Sequence, residues 1–286
     1  MSDPRQHVHL LTFDLEHWYE GYRYRGYGGW ADIPPRDPDT VQGLLELLAN
    51  TGQRATFFTT GRFATEFPHV VRSVATSGHE VASHSYEHIP IERLETAPRF
   101  REDLRRSLGV LEDLTAKRVT GFRAPKWSMS SSNLAWVYDV LGEEGLTYDS
   151  SRFPALLERK TGDGLTPERV TTHQGQKLWE IPPSVFAFGP VRLRAAGGLY
   201  LRLFPEWLTR ATIRRAASQG RPGLVYLHPY DLDPDCPRLP SGRLFAYGRH
   251  FGLSRSRPIL THLLTTFQFV TIREWLDGKL CEANDL

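Results

Sequence analysis

The chain has 286 residues, of which 40% are hydrophobic, and a formal net charge of +2 from 35 basic and 33 acidic side chains. This length and apolar content suffice for one large domain with a substantial core. The balanced charge, with no basic stripe along the sequence, argues against a nucleic-acid partner. The two cysteines, Cys236 and Cys281, are too few for a disulfide framework and lack the spacing of metal ligands, so we predict free thiols.

The amino terminus lacks the pattern of a targeting segment. Residues 1–7 contain no apolar signal-peptide core, and the apolar run 8–13 is far shorter than a membrane span. The sequence therefore predicts a cytoplasmic protein without a transmembrane segment.

Strand and helix patterns alternate along the chain. The predicted elements are a strand at 10–13, a strand at 53–60, a helix at 63–77, a strand at 79–82, a helix at 101–114, a strand at 119–122, a helix at 134–144, a helix at 207–217 and a strand at 223–227. This alternation predicts an α/β fold with a parallel barrel or open sheet. We interpret residues 1–286 as one domain, with an irregular insertion at 152–206 and a C-terminal extension at 236–286.

Two groups of polar residues follow predicted strands. Asp14 and Glu16 come after the first strand, and His84 and His88 come after the strand at 79–82. Histidines four residues apart lie on one face of a helical turn, where both can bind one cation, and a carboxylate can complete a catalytic metal site. The same residues could instead be a solvated or capping histidine pair and carboxylates that cap a helix or face solvent.

Five segments in order resemble the motifs of the polysaccharide deacetylases of carbohydrate esterase family 4, which share the NodB-like domain. The five segments are Leu11-Thr12-Phe13-Asp14-Leu15-Glu16, residues 78–88 with Gly78-His79-Glu80-Val81-Ala82-Ser83-His84, Gly121-Phe122-Arg123-Ala124-Pro125, Tyr148-Asp149-Ser150-Ser151, and Leu224-Val225-Tyr226-Leu227-His228-Pro229. More narrowly, the Asp-x-Glu form of the first motif and the segments 196–202 and 226–229 resemble exosortase-associated exopolysaccharide deacetylases. The resemblance implies a distorted (β/α) barrel of about seven strands.

The resemblance also implies a metal centre. Its ligands would be Glu16, His84 and His88, and its ion would be a divalent metal, most simply Zn²⁺, with Co²⁺, Ni²⁺ or Mn²⁺ as alternatives. Where the family has a second metal-binding aspartate directly after the base, this chain has Leu15. The ligand is therefore displaced to Glu16, with His17 as the alternative.

Four further residues would carry the catalytic roles of the family. The resemblance implies Asp14 as general base, Arg123 as the cation that keeps it ionised, His228 as the acid that protonates the leaving amine, and Asp149 as the carboxylate that orients His228. The backbone N–H of Lys126 would stabilise the oxyanion. Without the motifs, Arg123 could be a surface residue, Asp149 a turn residue and His228 a core histidine.

Several aromatic residues are candidates for stacking on sugar rings. Trp18, Trp127, Tyr200 and Tyr226 are the candidates, and a core role is equally compatible with each. Tyr226 also replaces the leucine that the family usually places two residues before the histidine of its fifth motif, which predicts a different pocket for the acetyl methyl group. We interpret His17, His79 and Glu87 as structural.

The predicted activity is removal of N-acetyl groups from an amino-sugar polysaccharide, an oligosaccharide or its lipid-linked or nucleotide-linked precursor by a metal-dependent hydrolase. Two alternatives are open: an amidohydrolase of the same fold that acts on a small ureide, and a sugar-binding relative without catalysis. The expected partner is an N-acetylated glycan or its precursor. The sequence does not predict an oligomeric state.

Overall fold

The structure is a computed structural model, and it describes residues 7–154, 166–188 and 191–284. Its strands are β1 (Val8–Leu15), β2 (Thr56–Thr59), β3 (Glu80–Ser83), β4 (Gly121–Phe122), β5 (Tyr148–Asp149), β6 (Glu168–Thr171), β7 (Lys177–Glu180), β8 (Phe186–Phe188), β9 (Val191–Leu193), β10 (Leu224–Leu227) and β11 (Gln268–Val270). Its α-helices are α1 (Glu20–Tyr24), α2 (Asp37–Thr51), α3 (Gly61–Glu66), α4 (Pro68–Thr76), α5 (Ile91–Leu94), α6 (Ala97–Thr115), α7 (Leu134–Glu143), α8 (Gly198–Leu203), α9 (Glu206–Ser218), α10 (Arg243–His250), α11 (Leu253–Thr266) and α12 (Ile272–Asn284).

One curled sheet organises the molecule. Its strand order is β10-β1-β2-β3-β4-β5-β7-β6, with β11 pairing the start of β1. The seven strands from β10 to β7 are parallel, and β6 is antiparallel to β7. The predicted α/β fold, a distorted (β/α) barrel of about seven strands, is confirmed, and the sheet curls into a half-barrel. All carboxyl ends of these seven strands meet at one edge, where α/β folds place their chemistry.

Helices cover the sheet with their apolar faces. The central strands are buried along almost their whole length, as expected for a parallel sheet covered on both sides. The main core joins the sheet to residues of most of these helices, including Leu44 of α2, Val71 of α4, Leu104 of α6, Leu141 of α7 and Leu263 of α11. This packing leaves the carboxyl edge of the sheet for polar side chains.

The regular elements differ from the sequence prediction in several places. The predicted helix 63–77 is two helices, α3 and α4, which meet at Phe67, because Pro68 cannot continue the helix before it. In the segment 152–206, expected to be irregular, the described residues contribute β6 and β7 to the sheet, the antiparallel pair of β8 and β9, and helix α8, whereas residues 155–165, 189 and 190 lie outside the described ranges.

The segment 236–286, interpreted as an extension, contributes α11 to the core and β11 to the sheet. Cys236 and Cys281 are free, as predicted. None of the helices in the described ranges has the length and apolar character needed to cross a bilayer.

Candidate active site

Four parallel strands bring the predicted site residues to one edge of the sheet. Asp14 lies in β1 and Glu16 directly follows it, whereas His84, Arg123 and His228 follow β3, β4 and β10. The register pairs Leu15 with Thr59, Thr59 with Ser83, and Ser83 with Phe122, so these strands end at the same level. The site is therefore assembled from residues that are more than 200 positions apart in the chain.

Glu16, His84 and His88 form a buried group that fits a metal ion. One ligand atom from each lies within 4.8 Å of the other two. The Nε2 atom of His88 is 2.5 Å from a carboxylate oxygen of Glu16, yet both oxygens of Glu16 lack a hydrogen bond of good geometry among the described residues. Buried polar atoms without such partners are costly, and a cation among these three side chains would satisfy them. Two imidazoles and one carboxylate are a donor set that suits Zn²⁺.

A loop, and not a helical turn, brings the two histidines together. Ser85 and His88 have φ angles of +65° and +57°, so the helical geometry expected for residues 84–88 was wrong. The backbone N–H of His88 donates to the Ser85 hydroxyl, and the carboxylate of Asp103 accepts from the N–H groups of Tyr86 and Glu87. These hydrogen bonds fix the conformation of the tight loop that contains both histidines.

A contact at the Nδ1 atom orients each of the two imidazoles. The Nδ1 atom of His84 lies 2.7 Å from the carbonyl oxygen of Arg123, which can only accept, so Nδ1 carries the proton and Nε2 is free to bind a metal. The Nδ1 atom of His88 is 3.6 Å from the buried carboxylate of Glu20. Burial lowers the pKa of His84 to about 4, which keeps this ligand neutral. Burial alone would raise the pKa of Glu16, but the charges of His88 and Lys126 hold it well below its usual value.

Asp14 and Arg123 form a buried ion pair beside the triad. The guanidinium of Arg123 is completely buried and donates to Asp14 at 2.7 Å, to the Thr12 hydroxyl at 3.0 Å and to both the hydroxyl and carbonyl oxygens of Ser150. Burial would raise the pKa of Asp14, but the charge of Arg123, followed by those of His84 and His228, lowers it. Asp14 is therefore held ionised and in a fixed direction, as a general base requires.

His228 faces the same carboxylates from β10. Its Nε2 atom is 3.7 Å from Glu16 and 3.9 Å from Asp14, and its side chain is 19% exposed, whereas those of Asp14 and Glu16 are almost fully buried. The ring stacks on Tyr230, with centroids 4.6 Å apart. The imidazole thus presents Nε2 to the site and has access to solvent.

The carboxylate that orients His228 is Asp231, and the prediction of Asp149 for this role was wrong. Asp231 accepts from the backbone N–H of His228 at 3.0 Å and lies 3.2 Å from its Nδ1 atom. Its other oxygen pairs with Arg202, a buried cation that also donates to three backbone carbonyls. Burial would raise the pKa of Asp231, but the charges of Arg202 and His228 lower it strongly.

Asp149 belongs to a different buried cluster. It accepts a hydrogen bond from Ser151, and it lies beside Glu180, which accepts from the Tyr138 hydroxyl at 2.8 Å. Burial raises the pKa of Asp149 to about 6, and burial together with the charge of Asp149 raises the pKa of Glu180 well above its usual value. Asp149 thus supports the loop of Ser150 and Ser151, which holds Arg123 and Ala124. Asp149 therefore supports the site indirectly, through the residues that hold Arg123 and Ala124.

We expect Asp231→Asn to lower turnover by about tenfold to a hundredfold with little change in KM. Asparagine cannot favour the imidazolium form of His228, so part of the factor of about 10² to 10⁴ that a positioned acid contributes is lost. Asp149→Asn should have the smaller effect on turnover. Steady-state kinetics test this, with circular dichroism to verify folding of both variants. A larger loss in Asp149→Asn would restore the role implied by the sequence resemblance.

The aromatic candidates have different surroundings. Trp127 and Tyr226 form an edge-to-face cluster with Phe153, and Trp127 also covers the Arg123 guanidinium at 4.5 Å. Tyr226 is 6% exposed, while Tyr200 and Trp127 are partly exposed. Trp18 is 3% exposed in a separate core cluster, which excludes it as a stacking surface.

Residues expected to be structural have structural contacts. His17 lies 2.9 Å from a carboxylate oxygen of Glu66, and His79 accepts from the backbone N–H of Ala55. Glu87 points to arginines at the surface, away from the triad. These contacts support the interpretation of all three as structural residues, which stays a prediction.

Sequence reasoning missed Glu20, Asp103, Arg202 and Asp231. Asp103 could have been noticed because it and Ser107 occupy the buried face of α6, where the helical period predicts apolar residues. Asp231 follows His228 by three residues, within reach of one turn. Glu20 and Arg202 have no local signal for these roles, since their partners at the site, His88 and Asp231, are distant in sequence.

Two family models and several curated proteins match parts of this chain. Residues 2–142 match the family model described as polysaccharide deacetylase, and residues 150–277 match one described as a domain of unknown function. A Helicobacter pylori peptidoglycan deacetylase is 33% identical over 112 residues, covering 39% of this chain and 36% of that protein. A Bacillus cereus peptidoglycan-N-acetylglucosamine deacetylase is 25% identical over 127 residues, covering 42% and 46%. The chain thus spans less than half the length of these curated relatives.

Solved structures show the same fold. A polysaccharide deacetylase homologue from Mycobacterium smegmatis superposes with a TM-score of 0.66 at 20% identity, over 99% of this chain and 93% of the other. A carbohydrate esterase family 4 pseudoenzyme from Bacillus anthracis superposes with a TM-score of 0.50 at 16% identity, over 95% and 66%. At these identities the likeness to solved structures establishes the fold alone, and only the site residues bear on activity.

Proposed function

We propose that this chain, whose residues 2–142 belong to the polysaccharide deacetylase family by their match to its model, is a metal-dependent hydrolase that removes N-acetyl groups from an amino-sugar glycan or its precursor. The observation that carries the proposal is the convergence of an ionised carboxylate, Asp14, and an oriented imidazole, His228, on a metal-binding triad. Within the family, we place the chain nearest the exosortase-associated exopolysaccharide deacetylases, on the motifs of its sequence.

Glu16, His84 and His88 are the residues that would hold the metal. A divalent cation bound there would supply a Lewis acid for the acetamide carbonyl and would make water more acidic. Zn²⁺ is the ion that this donor set favours, with Co²⁺, Ni²⁺ and Mn²⁺ as alternatives. Elemental analysis of the purified protein identifies the metal.

Asp14 and His228 carry out the two proton transfers of amide hydrolysis. Asp14 accepts the proton of the water that adds to the acetamide carbon, and Arg123 keeps Asp14 ionised until then. The backbone N–H of Lys126 stabilises the oxyanion. As the C–N bond breaks, His228 donates a proton to the departing amine, while Asp231 stabilises the imidazolium. The products are acetate and the free amino sugar.

The alternatives differ in substrate or in chemistry. A binding protein would need the triad but not the buried Asp14–Arg123 pair or the oriented His228, which favours an enzyme. A ureide hydrolase would use the same residues on a smaller amide, and the fold does not distinguish it.

Acetate release from N-acetylglucosamine oligomers tests the proposal. We expect acetate from the tetramer and no turnover of allantoin when the metal-loaded protein is assayed with both. Turnover of allantoin alone would establish the ureide hydrolase, and inactivity on every acetamide combined with glycan binding would establish the binding protein. The cytoplasmic location expected from the sequence remains a prediction, which fractionation of cells that make the native protein would test.

A further inference from the structure

Three cationic side chains surround the ring of Tyr24 beside the site. The guanidinium carbon of Arg93 lies 4.5 Å from the ring centroid, the Nζ atom of Lys126 lies 5.6 Å from it, and the guanidinium carbon of Arg25 lies 5.9 Å from it. All three side chains are exposed. In the part of the chain that the structure describes, none of the three forms an ion pair with a carboxylate, in contrast to Arg23, which pairs with Glu20. We call Tyr24, Arg25, Arg93 and Lys126 the cationic cluster.

The cationic cluster borders the cleft that contains the acid of the proposed reaction. Arg25 and Lys126 line a cleft of about 340 Å³ together with His228 and Tyr230. The lining of this cleft has four basic side chains and a single carboxylate, that of Asp231, which is already paired with Arg202. The cleft therefore has a surplus of positive charge next to His228.

Lys126 joins the cationic cluster to the cleft of His228. It contributes to both, because its Nζ atom lies 5.6 Å from the Tyr24 ring centroid and the residue lines the cleft. The negative charges of Asp14 and Glu16 are engaged by Arg123 and by the cation that the triad would hold. With a cation in the triad, neither carboxylate would be left to pair with Lys126.

Like charges that share one aromatic ring repel each other, and an anion between them relieves this repulsion. The rigid forks of two guanidinium groups suit a planar carboxylate or a phosphate. We propose that the cationic cluster binds an anionic group of the glycan, a carboxylate or a phosphate, on the sugar or linkage next to the N-acetylated sugar. The inference rests on the proposed function and names its substrate class as an acidic glycan.

Matched pairs of neutral and acidic substrates test this inference. The first pair is a tetrasaccharide of alternating N-acetylglucosamine and glucuronic acid and its carboxyl-reduced, neutral counterpart. The second pair is N-acetylglucosamine 1-phosphate and methyl N-acetylglucosaminide. We expect kcat/KM for acetate release to be higher for the acidic member than for the neutral member in at least one pair. The pair that shows this preference identifies the anion that the cluster recognises. A preference of about fivefold or more at low salt corresponds to one or two exposed charge contacts.

The double variant Arg25→Gln/Arg93→Gln should bring this ratio close to one. The matched control is Arg72→Gln, an exposed arginine of α4 outside the cluster, which changes the net charge but should preserve the ratio. Isothermal titration calorimetry with the same pairs measures binding without turnover, and there too the double variant should lose the preference for the acidic member.

The outcomes separate this inference from the proposed function. Equal acetate release from both members of each pair would overturn the inference and leave the deacetylase intact. Absence of acetate from every substrate would reject the deacetylase. In that case the calorimetry still tests the inference, and equal binding of the two members of each pair would overturn it. A preference that survives in the double variant, or arginine-dependent binding to phosphatidylglycerol vesicles without discrimination between the sugars, would also overturn it.

Discussion

Replacement of His84 by alanine is expected to remove both the metal and the deacetylase activity. His84 is fully buried, its Nδ1 proton is engaged by the Arg123 carbonyl, and its Nε2 atom is therefore directed to the cation. Loss of an outer partner of a metal ligand typically costs about 10- to 100-fold in affinity, and loss of the ligand itself should cost more. Metal content after dialysis and acetate release from the N-acetylglucosamine tetramer measure the two losses.

His17→Asn is the matched control for this experiment. His17 is a second buried histidine near the carboxyl end of β1, but its Nε2 atom contacts Glu66. We expect this variant to retain the metal, and Glu16→Gln to lose it. If His17→Asn loses the metal while Glu16→Gln retains it, the assignment of the third ligand is wrong.

Asp14→Asn is expected to lower turnover by about two to four orders of magnitude, the usual contribution of a general base. Asparagine can still contact Arg123 but cannot accept a proton at neutral pH. Since Asp14 is outside the proposed ligand triad, the metal should remain bound. Single-turnover acetate release and metal analysis on the same sample measure both effects.

The pH dependence gives a second measure of this base. Because neighbouring charges lower the pKa of Asp14, activity should fall as the pH drops through a value below the usual range of aspartate. Asp139→Asn, which removes a carboxylate paired with His173 away from the site, should leave turnover unchanged. An Asp14→Asn protein that retains the metal and near-normal deacetylation would reject the proposed mechanism.

Much of the fold followed from local sequence patterns. Apolar runs such as 10–13 and 223–227 have the length and composition of buried strands, and helical periods such as that of 101–114 correspond to α6. These patterns depend on which face of an element is buried, so the sequence alone carries them. Boundaries shifted where a local break acted, as Pro68 did between α3 and α4.

The sequence by itself determined which residue types stand at the carboxyl ends of β1, β3, β4 and β10, and hence which chemistry is available there. It could not determine which carboxylate reaches His228. Asp149 ends β5 and Asp231 follows β10, and the turn after β10, held by Arg202, places Asp231 against the imidazole. Asp149 is instead held by Ser151 and Glu180.

The tertiary structure also decided how the metal ligands converge and where charge accumulates. The spacing of His84 and His88 indicated a shared cation for the wrong geometric reason, because they lie in a loop whose backbone N–H groups donate to the carboxylate of Asp103 in α6. Arg25, Arg93 and Lys126 are scattered in the sequence and meet only around Tyr24. Contacts of this kind depend on distances between elements, which no local period or spacing encodes.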